Sequence, residues 1–308
     1  MSHIKNLKFF LIIVLLSASY FFISNVYALT FNLPPFGENV VGTTQIIQSQ
    51  PGDTLYSLAR HYEMGNYEMQ IANPGITRYG KIKPNTPITI PSSFVLPNVP
   101  HRDIVINLPE LRLYYFPAHR HVVITEPISI GKPGWPTPLM HSSVVEKIKD
   151  PYWMVPETIA EYSAQKGIFL PPIVSPGPDN PLGHYALRLG QKSILIHGTN
   201  QSDLIGKRVS SGCIRMYPED IANLFLSVPK NTPVIIMDQP FKLGWLDHKV
   251  YLEAHPLMVD SENPAFAERD KLYQDISNAM NNYMTYINWD AVNSILKQTN
   301  GIPNVISG

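Results

Sequence analysis

One cysteine stands among the 308 residues of this chain, in the run Ser210-Ser211-Gly212-Cys213-Ile214-Arg215. Upstream, His197 opens His197-Gly198-Thr199-Asn200 directly after the apolar run Ile194-Leu195-Ile196. A thiol attacks well only as its thiolate, and an imidazole within reach can take the proton and lower the thiol pKa. A histidine at the end of an apolar strand lies where a site can open, and the intervening loop can return Cys213 beside it. The imidazole then needs a partner on its other nitrogen. No carboxylate is adjacent in sequence, so the Gly198 carbonyl is the expected orienter. Gly212 permits a tight turn that can aim successive backbone N–H groups around Cys213 at one point, as an oxyanion requires. Arg215 is placed either to hold a substrate carboxylate or to brace the loop.

These residues also have plainer readings. Free cysteine is often a buried small hydrophobe, and His197 can be a hydrogen-bonded strand-end residue. A zinc site built from His121, His184 and His197 is a further reading, weakened by the lack of Asp or Glu at ligand spacing. A lone thiol exported to an oxidising compartment is a liability unless it is used, which favours the nucleophile.

Composition narrows the field. A single cysteine excludes an intramolecular disulfide and a cysteine-cluster metal site. Lys plus Arg and Asp plus Glu both number 24, so no broad basic field exists for nucleic acid. Hydrophobic residues make up 44% of the chain, enough for packed cores and too many for bulk disorder. The 29 prolines favour turns and short strands.

The elements that must position the site fall into segments. Residues 1–28 have the form of an export signal: Lys5 and Lys8, an apolar stretch from Phe9 to Phe22, then Val26-Tyr27-Ala28 as the cleavage site. An uncleaved anchor is the other reading, and both carry the remainder across the inner membrane. Residues 29 to about 44 are a Pro-rich lead-in with no period. Residues 45–91 read as strand, helix, helix, strand. Asp53 is expected to cap a helix bearing Leu55, Leu58, Ala59 and Tyr62, and Asn66 to cap a second helix that stops at Asn73-Pro74-Gly75. Ile46-Ile47 can pair with the strand Pro87-Ile88-Thr89-Ile90-Pro91.

From residue 101 to about 240 the period becomes two. Ile104, Ile106 and Leu108 alternate, then Leu111, Leu113 and Tyr115 after the Pro109-Glu110 turn. Short strands punctuated by Pro and Gly predict a β-sandwich or open barrel, with one helix opened by Pro218-Glu219-Asp220. The tail, residues 241–308, has Leu272, Ile276, Ala279, Met280 and Tyr283 at helical spacing, then Val292, Ile295 and Leu296 before Asn300-Gly301. It reads as packing helices.

Two resemblances add to this. Gln50-Pro51-Gly52-Asp53-Thr54-Leu55-Tyr56-Ser57-Leu58-Ala59, Ala72-Asn73-Pro74 and Ile88-Thr89-Ile90-Pro91 resemble the LysM module. That implies binding to the N-acetylglucosamine-containing glycan of peptidoglycan. His197-Gly198-Thr199-Asn200, the run from Ile205 to Met216, and Asp220 resemble the YkuD family of L,D-transpeptidases. Asn180-Pro181-Leu182-Gly183 and the Gly131–Pro138 segment add to the likeness. The order of segments is similar to the ErfK/YbiS-like periplasmic group.

The resemblance implies a mainly β chain: a YkuD-like β-sandwich with a βααβ LysM module and a helical C-terminal extension. It implies Cys213 and His197 as catalytic pair, with Gly198, Ser211 and Gly212 supporting them, and Arg215, Tyr185 and Ser210 as substrate-binding residues. Ser211 stands where many members carry His, which removes one imidazole from the site. The implied substrate is the peptidoglycan tetrapeptide stem, with loss of D-Ala. The acyl group passes to a diaminopimelate amine, to the C-terminal Lys of an outer-membrane lipoprotein, or to water. No metal or organic cofactor is implied. A non-catalytic LysM scaffold is the alternative from another class. A sortase-type peptidase fits less well, since its His and Cys lie further apart in sequence.

Overall fold

The computed structural model of the protein describes residues 28–190, 194–258, 260, 265–283 and 285–308. The expected export signal, apart from Ala28, lies outside the described residues, as do Lys192 and Ser193. No helix among the described residues is long and apolar enough to cross a membrane.

The lead-in is not structureless. It forms β1 (Leu29–Asn32) and β2 (Val40–Gly42), and β3 (Gln45–Gln48) follows. Helices α1 (Leu55–His61) and α2 (Asn66–Ala72) then precede β4 (Pro87–Ile90) and β5 (Ser93–Val95). Ile46 and Ile47 pair with Thr89 and Ile88 as the pattern predicts. The caps differ from expectation by one residue each. Thr54, not Asp53, caps α1, accepting from the Ser57 N–H at 2.9 Å while Ser57 Oγ accepts from the Thr54 N–H. Asp53 instead accepts from the Gln50 N–H and closes the preceding turn. Gly65 precedes α2, and Asn66 is its first helical residue.

Next come β6 (Asp103–Asn107), β7 (Arg112–Phe116), β8 (Val122–Gly131) and β9 (Met140–Lys149). A short excursion holds β10 (Trp153–Met154), α3 (Glu157–Ala164) and β11 (Ile173–Val174). Helix α3 was not foreseen, because it buries no apolar face and so leaves no period in the sequence. The chain continues through β12 (Tyr185–Leu189), β13 (Leu195–His197), β14 (Arg208–Ser210), β15 (Ile214–Met216), α4 (Pro218–Ser227) and β16 (Pro233–Met237). The extension holds β17 (Phe241–Leu246), β18 (Lys249–Ala254), α5 (Ala265–Tyr283), α6 (Trp289–Gln298) and β19 (Asn304–Val305). Its three-stranded sheet is an addition to the expected helices.

The central architecture is a sandwich whose two sheets share long corner strands. One sheet runs β1-β8-β7-β6-β16-β9. The other runs β8-β15-β13-β12-β9. β8 and β9 bend from the first sheet into the second. Ile106, Leu113, Ile128, Leu187, Ile196 and Ile236 fill the space between, and Ile221 and Leu224 of α4 pack against them. The outer face of the first sheet is also apolar. Val105, Tyr114, Phe116 and Val123 share a core with Leu58, Met69 and Ile88 of the βααβ unit. That unit is therefore docked on the sandwich, not tethered to it.

Polar groups are buried in this seam. Arg112 of β7 inserts its guanidinium among the helices, 2.6 Å from Glu68 Oε2 and over the Phe94 ring. Three further carboxylates, Glu63, Glu126 and Asp220, are at most 2% exposed, and oxygens of each have no hydrogen-bond partner. Arg60 pairs with Glu63 and Glu219 at 2.8 Å, which leaves more acid than base. Burial pushes Glu63 up to about 7 and raises Glu126 and Asp220 well above the usual range. Between about 4.5 and 7 the folded chain then holds protons that the unfolded chain releases, so stability falls as pH rises through that window. Thermal melts should show Tm dropping from pH 5 to 8, with a flatter profile for Glu126→Gln. A wild-type Tm that climbs over this range and matches the variant's would contradict the assignment.

The extension is fastened by a second buried network. Lys242 Nζ lies 2.6 Å from Glu110 Oε1 and 2.8 Å from Glu253 Oε1, and His255 Nε2 is 2.6 Å from the same Glu253 oxygen. Glu253 Oε2 accepts from the Val95 N–H. An ammonium thus occupies the centre of the carboxylate–imidazole cluster and ties the extension to β5 and the sandwich.

Candidate active site

His197 ends β13, with Ile196 and His197 in parallel register with Ile214 and Arg215 of β15. The loop between these strands returns Cys213 to the strand end, so His197, Cys213 and Arg215 line one cavity of about 340 Å³. Register alone explains the convergence: parallel neighbours bring residues far apart in sequence to the same edge.

His197 is 3% exposed. Its Nδ1 lies 2.6 Å from the Gly198 carbonyl oxygen, and the Leu182 carbonyl also faces the ring. The Gly198 carbonyl can only accept, so it fixes Nδ1 as the protonated nitrogen of the neutral ring and leaves Nε2 as the acceptor. Burial, with Arg215 nearby, lowers the imidazole to about 3. Burial also raises the Cys213 thiol, against the opposing pull of the Leu195 backbone and Arg215. Both shifts favour a neutral thiol beside a neutral imidazole at rest. Burial outweighs the pull of the Leu195 backbone and Arg215, so the thiol lies above its ordinary pKa and not below it as expected.

The loop that carries Cys213 is braced from within and from one neighbour. Gly212 adopts φ +107°, a left-handed conformation. Its N–H donates to Ser210 Oγ at 3.2 Å, and Ser210 Oγ donates to the Cys213 carbonyl at 2.5 Å. Thr137 Oγ1 donates to the Gly212 carbonyl at 2.8 Å and accepts from the Gly131 N–H. Two expectations change. The Gly212 N–H is turned into the loop and drops out of the oxyanion donors. Ser210 lines the cavity, but its hydroxyl proton is given to the Cys213 carbonyl, so it braces the loop and has no donor left for substrate. Gly212→Ala adds a Cβ at positive φ, a strain of about 1–2 kcal/mol. The expected result is a drop in turnover of more than tenfold with the fold retained, read by an activity assay and circular dichroism.

Tyr185 does not join the cavity. A strand alternates its faces, so Tyr185 falls with Leu187 and Leu189 on the core side, its ring 4.8 Å from that of Phe225. Arg188, on the opposite face, lines the cavity and bonds Glu146 at 2.7 Å. Ser211 lines the cavity and is exposed. Gly198 supplies the carbonyl to His197 and donates its N–H to the Tyr185 carbonyl. Arg215 is half-buried, its Nε has no hydrogen-bond partner, and burial lowers it. A guanidinium held this way suits an anionic substrate group.

Sequence reasoning missed the remaining walls. Trp135 comes from the Gly131–Pro138 segment, Trp153 and Met154 from β10, and Thr158 and Ile159 from α3. The Pro/Gly loop at 175–180 leads into Pro181 and Leu182, which line the cavity. Asn180 fixes that turn, donating to the Pro151 carbonyl and accepting from the Leu182 N–H. The proposed zinc set does not assemble: among the described residues, the only cluster with metal-ligand spacing is Glu110, Glu253 and His255.

Residues 101–236 match the YkuD L,D-transpeptidase catalytic domain, and residues 50–91 match the LysM domain. With its sandwich and cavity, the chain belongs to the L,D-transpeptidase family of YkuD type and carries a LysM domain. It is similar to two Escherichia coli proteins named "Probable L,D-transpeptidase". YbiS is 42% identical over 76% of this chain and 77% of its own length. ErfK/SrfK is 37% identical over 91% of both. Among solved structures, an L,D-transpeptidase from Mycobacterium smegmatis shares 22% identity over 44% of this chain and 57% of that one, with a TM-score of 0.32.

Proposed function

We propose that the protein acts in the periplasm as a cysteine-dependent L,D-transpeptidase on peptidoglycan tetrapeptide stems. The observation that carries this reading is the meeting of Cys213, an Nδ1-protonated His197 and Arg215 in one cavity. The export signal supports the compartment, and the docked LysM unit supports binding of the glycan.

Cys213 Sγ attacks the carbonyl that joins the L-centre of diaminopimelate to the terminal D-Ala. The thiol proton passes to His197 Nε2 as the bond forms, since both groups rest neutral. The oxyanion faces backbone N–H groups of Ser211 and Cys213. Arg215 holds the carboxylate of the leaving D-Ala. Collapse expels the D-Ala amine, which takes the proton from Nε2, and leaves a thioester on Cys213. An amine then attacks the thioester and restores the thiol. A diaminopimelate side-chain amine gives a 3→3 cross-link, a lipoprotein Lys gives anchoring, and water gives a carboxypeptidase. Incubating the enzyme with tetrapeptide muropeptides and each candidate amine, then resolving products by mass, identifies the acceptor. Lack of amide product with every amine, alongside D-Ala release, would reduce the activity to hydrolysis.

A further inference from the structure

Two lysines beside the cavity have no part in the chemistry above. The backbone N–H of Lys132 donates to the Ser210 carbonyl, which ties its segment to the nucleophile loop. Its ammonium lies 3.9 Å from the centre of the Tyr162 ring and 5.4 Å from that of Trp135. Lys166 donates to Tyr162 Oη at 2.7 Å and lies 4.3 Å from the ring centre. Tyr162 stands one turn beyond Thr158 and Ile159 on α3, and its ring packs on Trp135 at 5.8 Å. Trp135, Thr158 and Ile159 all line the cavity. Two positive charges are thus gathered on one phenol at the cavity rim. Neither ammonium has a carboxylate partner among the described residues. They hold the phenol below its ordinary pKa, chiefly through the Lys166 hydrogen bond.

Two ammoniums gathered on one ring without a carboxylate partner make the surface beside them attractive to an anion. We infer that Lys132, Lys166 and Tyr162 form a subsite for a substrate carboxylate remote from the bond that is broken. The inference rests on the tetrapeptide reading above. Arg215 neighbours Cys213 and so serves the carboxylate next to the scissile bond. The rim pair serves the one at the far end of the diaminopimelate side chain. The two positions would make the cavity selective for stems whose side-chain carboxylate is free.

The test compares D-Ala release from a tetrapeptide carrying that carboxylate with release from its primary amide. For the acid, Lys132→Ala/Lys166→Ala should raise KM about tenfold with kcat within about twofold, as expected for charge-assisted hydrogen bonds lost equally from ground and transition states. On the amide, wild type and variant should have similar, raised KM values. Lys132→Arg/Lys166→Arg keeps both charges and should restore most of the discrimination. Equal KM changes on both peptides, or none on either, would overturn the subsite. Calorimetric binding of the two peptides to Cys213→Ala protein reads the same discrimination without turnover. A failure of the transpeptidase reading is then seen separately, as no D-Ala release by wild type.

Discussion

Cys213→Ala should lower D-Ala release from tetrapeptide muropeptides by roughly 10⁴-fold or more, to the level of the buffer blank. Every covalent step proposed here passes through Sγ, and no second cysteine can take its place. The fold should survive, because Cys213 is a half-buried residue of the cavity wall and not part of a packed core. Its loop is fixed by Ser210, Gly212 and Thr137, whose hydrogen bonds do not use the thiol. The check is D-Ala quantified alongside a melting curve. Release that persists at the wild-type rate in a folded variant would remove the thiol from the reaction.

The second large effect is expected at His197. His197→Gln removes the acceptor at Nε2, and general-base catalysis of this kind contributes about 10²–10⁴-fold. The loss should be strong here because burial holds the thiol protonated, so attack depends on a base in the cavity. Native His197 is uncharged near neutral pH, with its pKa at about 3, so replacement breaks no ion pair. The expected result is slow acylation and slow deacylation with near-native melting. Pre-steady-state mass measurements resolve the two steps, and an unchanged acylation rate would take His197 out of the proton path.

Much of the site was legible because its signals are local. A strand-end His and a Gly-Cys pair on a turn are short patterns, and the Gly198 carbonyl lies one residue from the ring it faces. Tyr185 was misplaced for a reason also written in the chain: Leu187 and Leu189 share its strand parity and belong to the core. The cavity walls from β10 and α3 were not legible, since neither element has an apolar period. The docking of the LysM unit was hidden in the same way. Val105 and Tyr114 look like ordinary strand residues until a second layer is known to cover them. Polar burial was the hardest to foresee. Nothing near Arg112 in sequence announces Glu68 as its partner, 44 positions away and in another module.

The most direct measurement is the intact mass of the protein after incubation with tetrapeptide muropeptides. The mechanism predicts an adduct equal to the stem without its terminal D-Ala, located on Cys213 and discharged by an added amine. A folded protein that gains no mass and releases no D-Ala would contradict the acyl-transfer reading and leave a wall-binding LysM scaffold in its place.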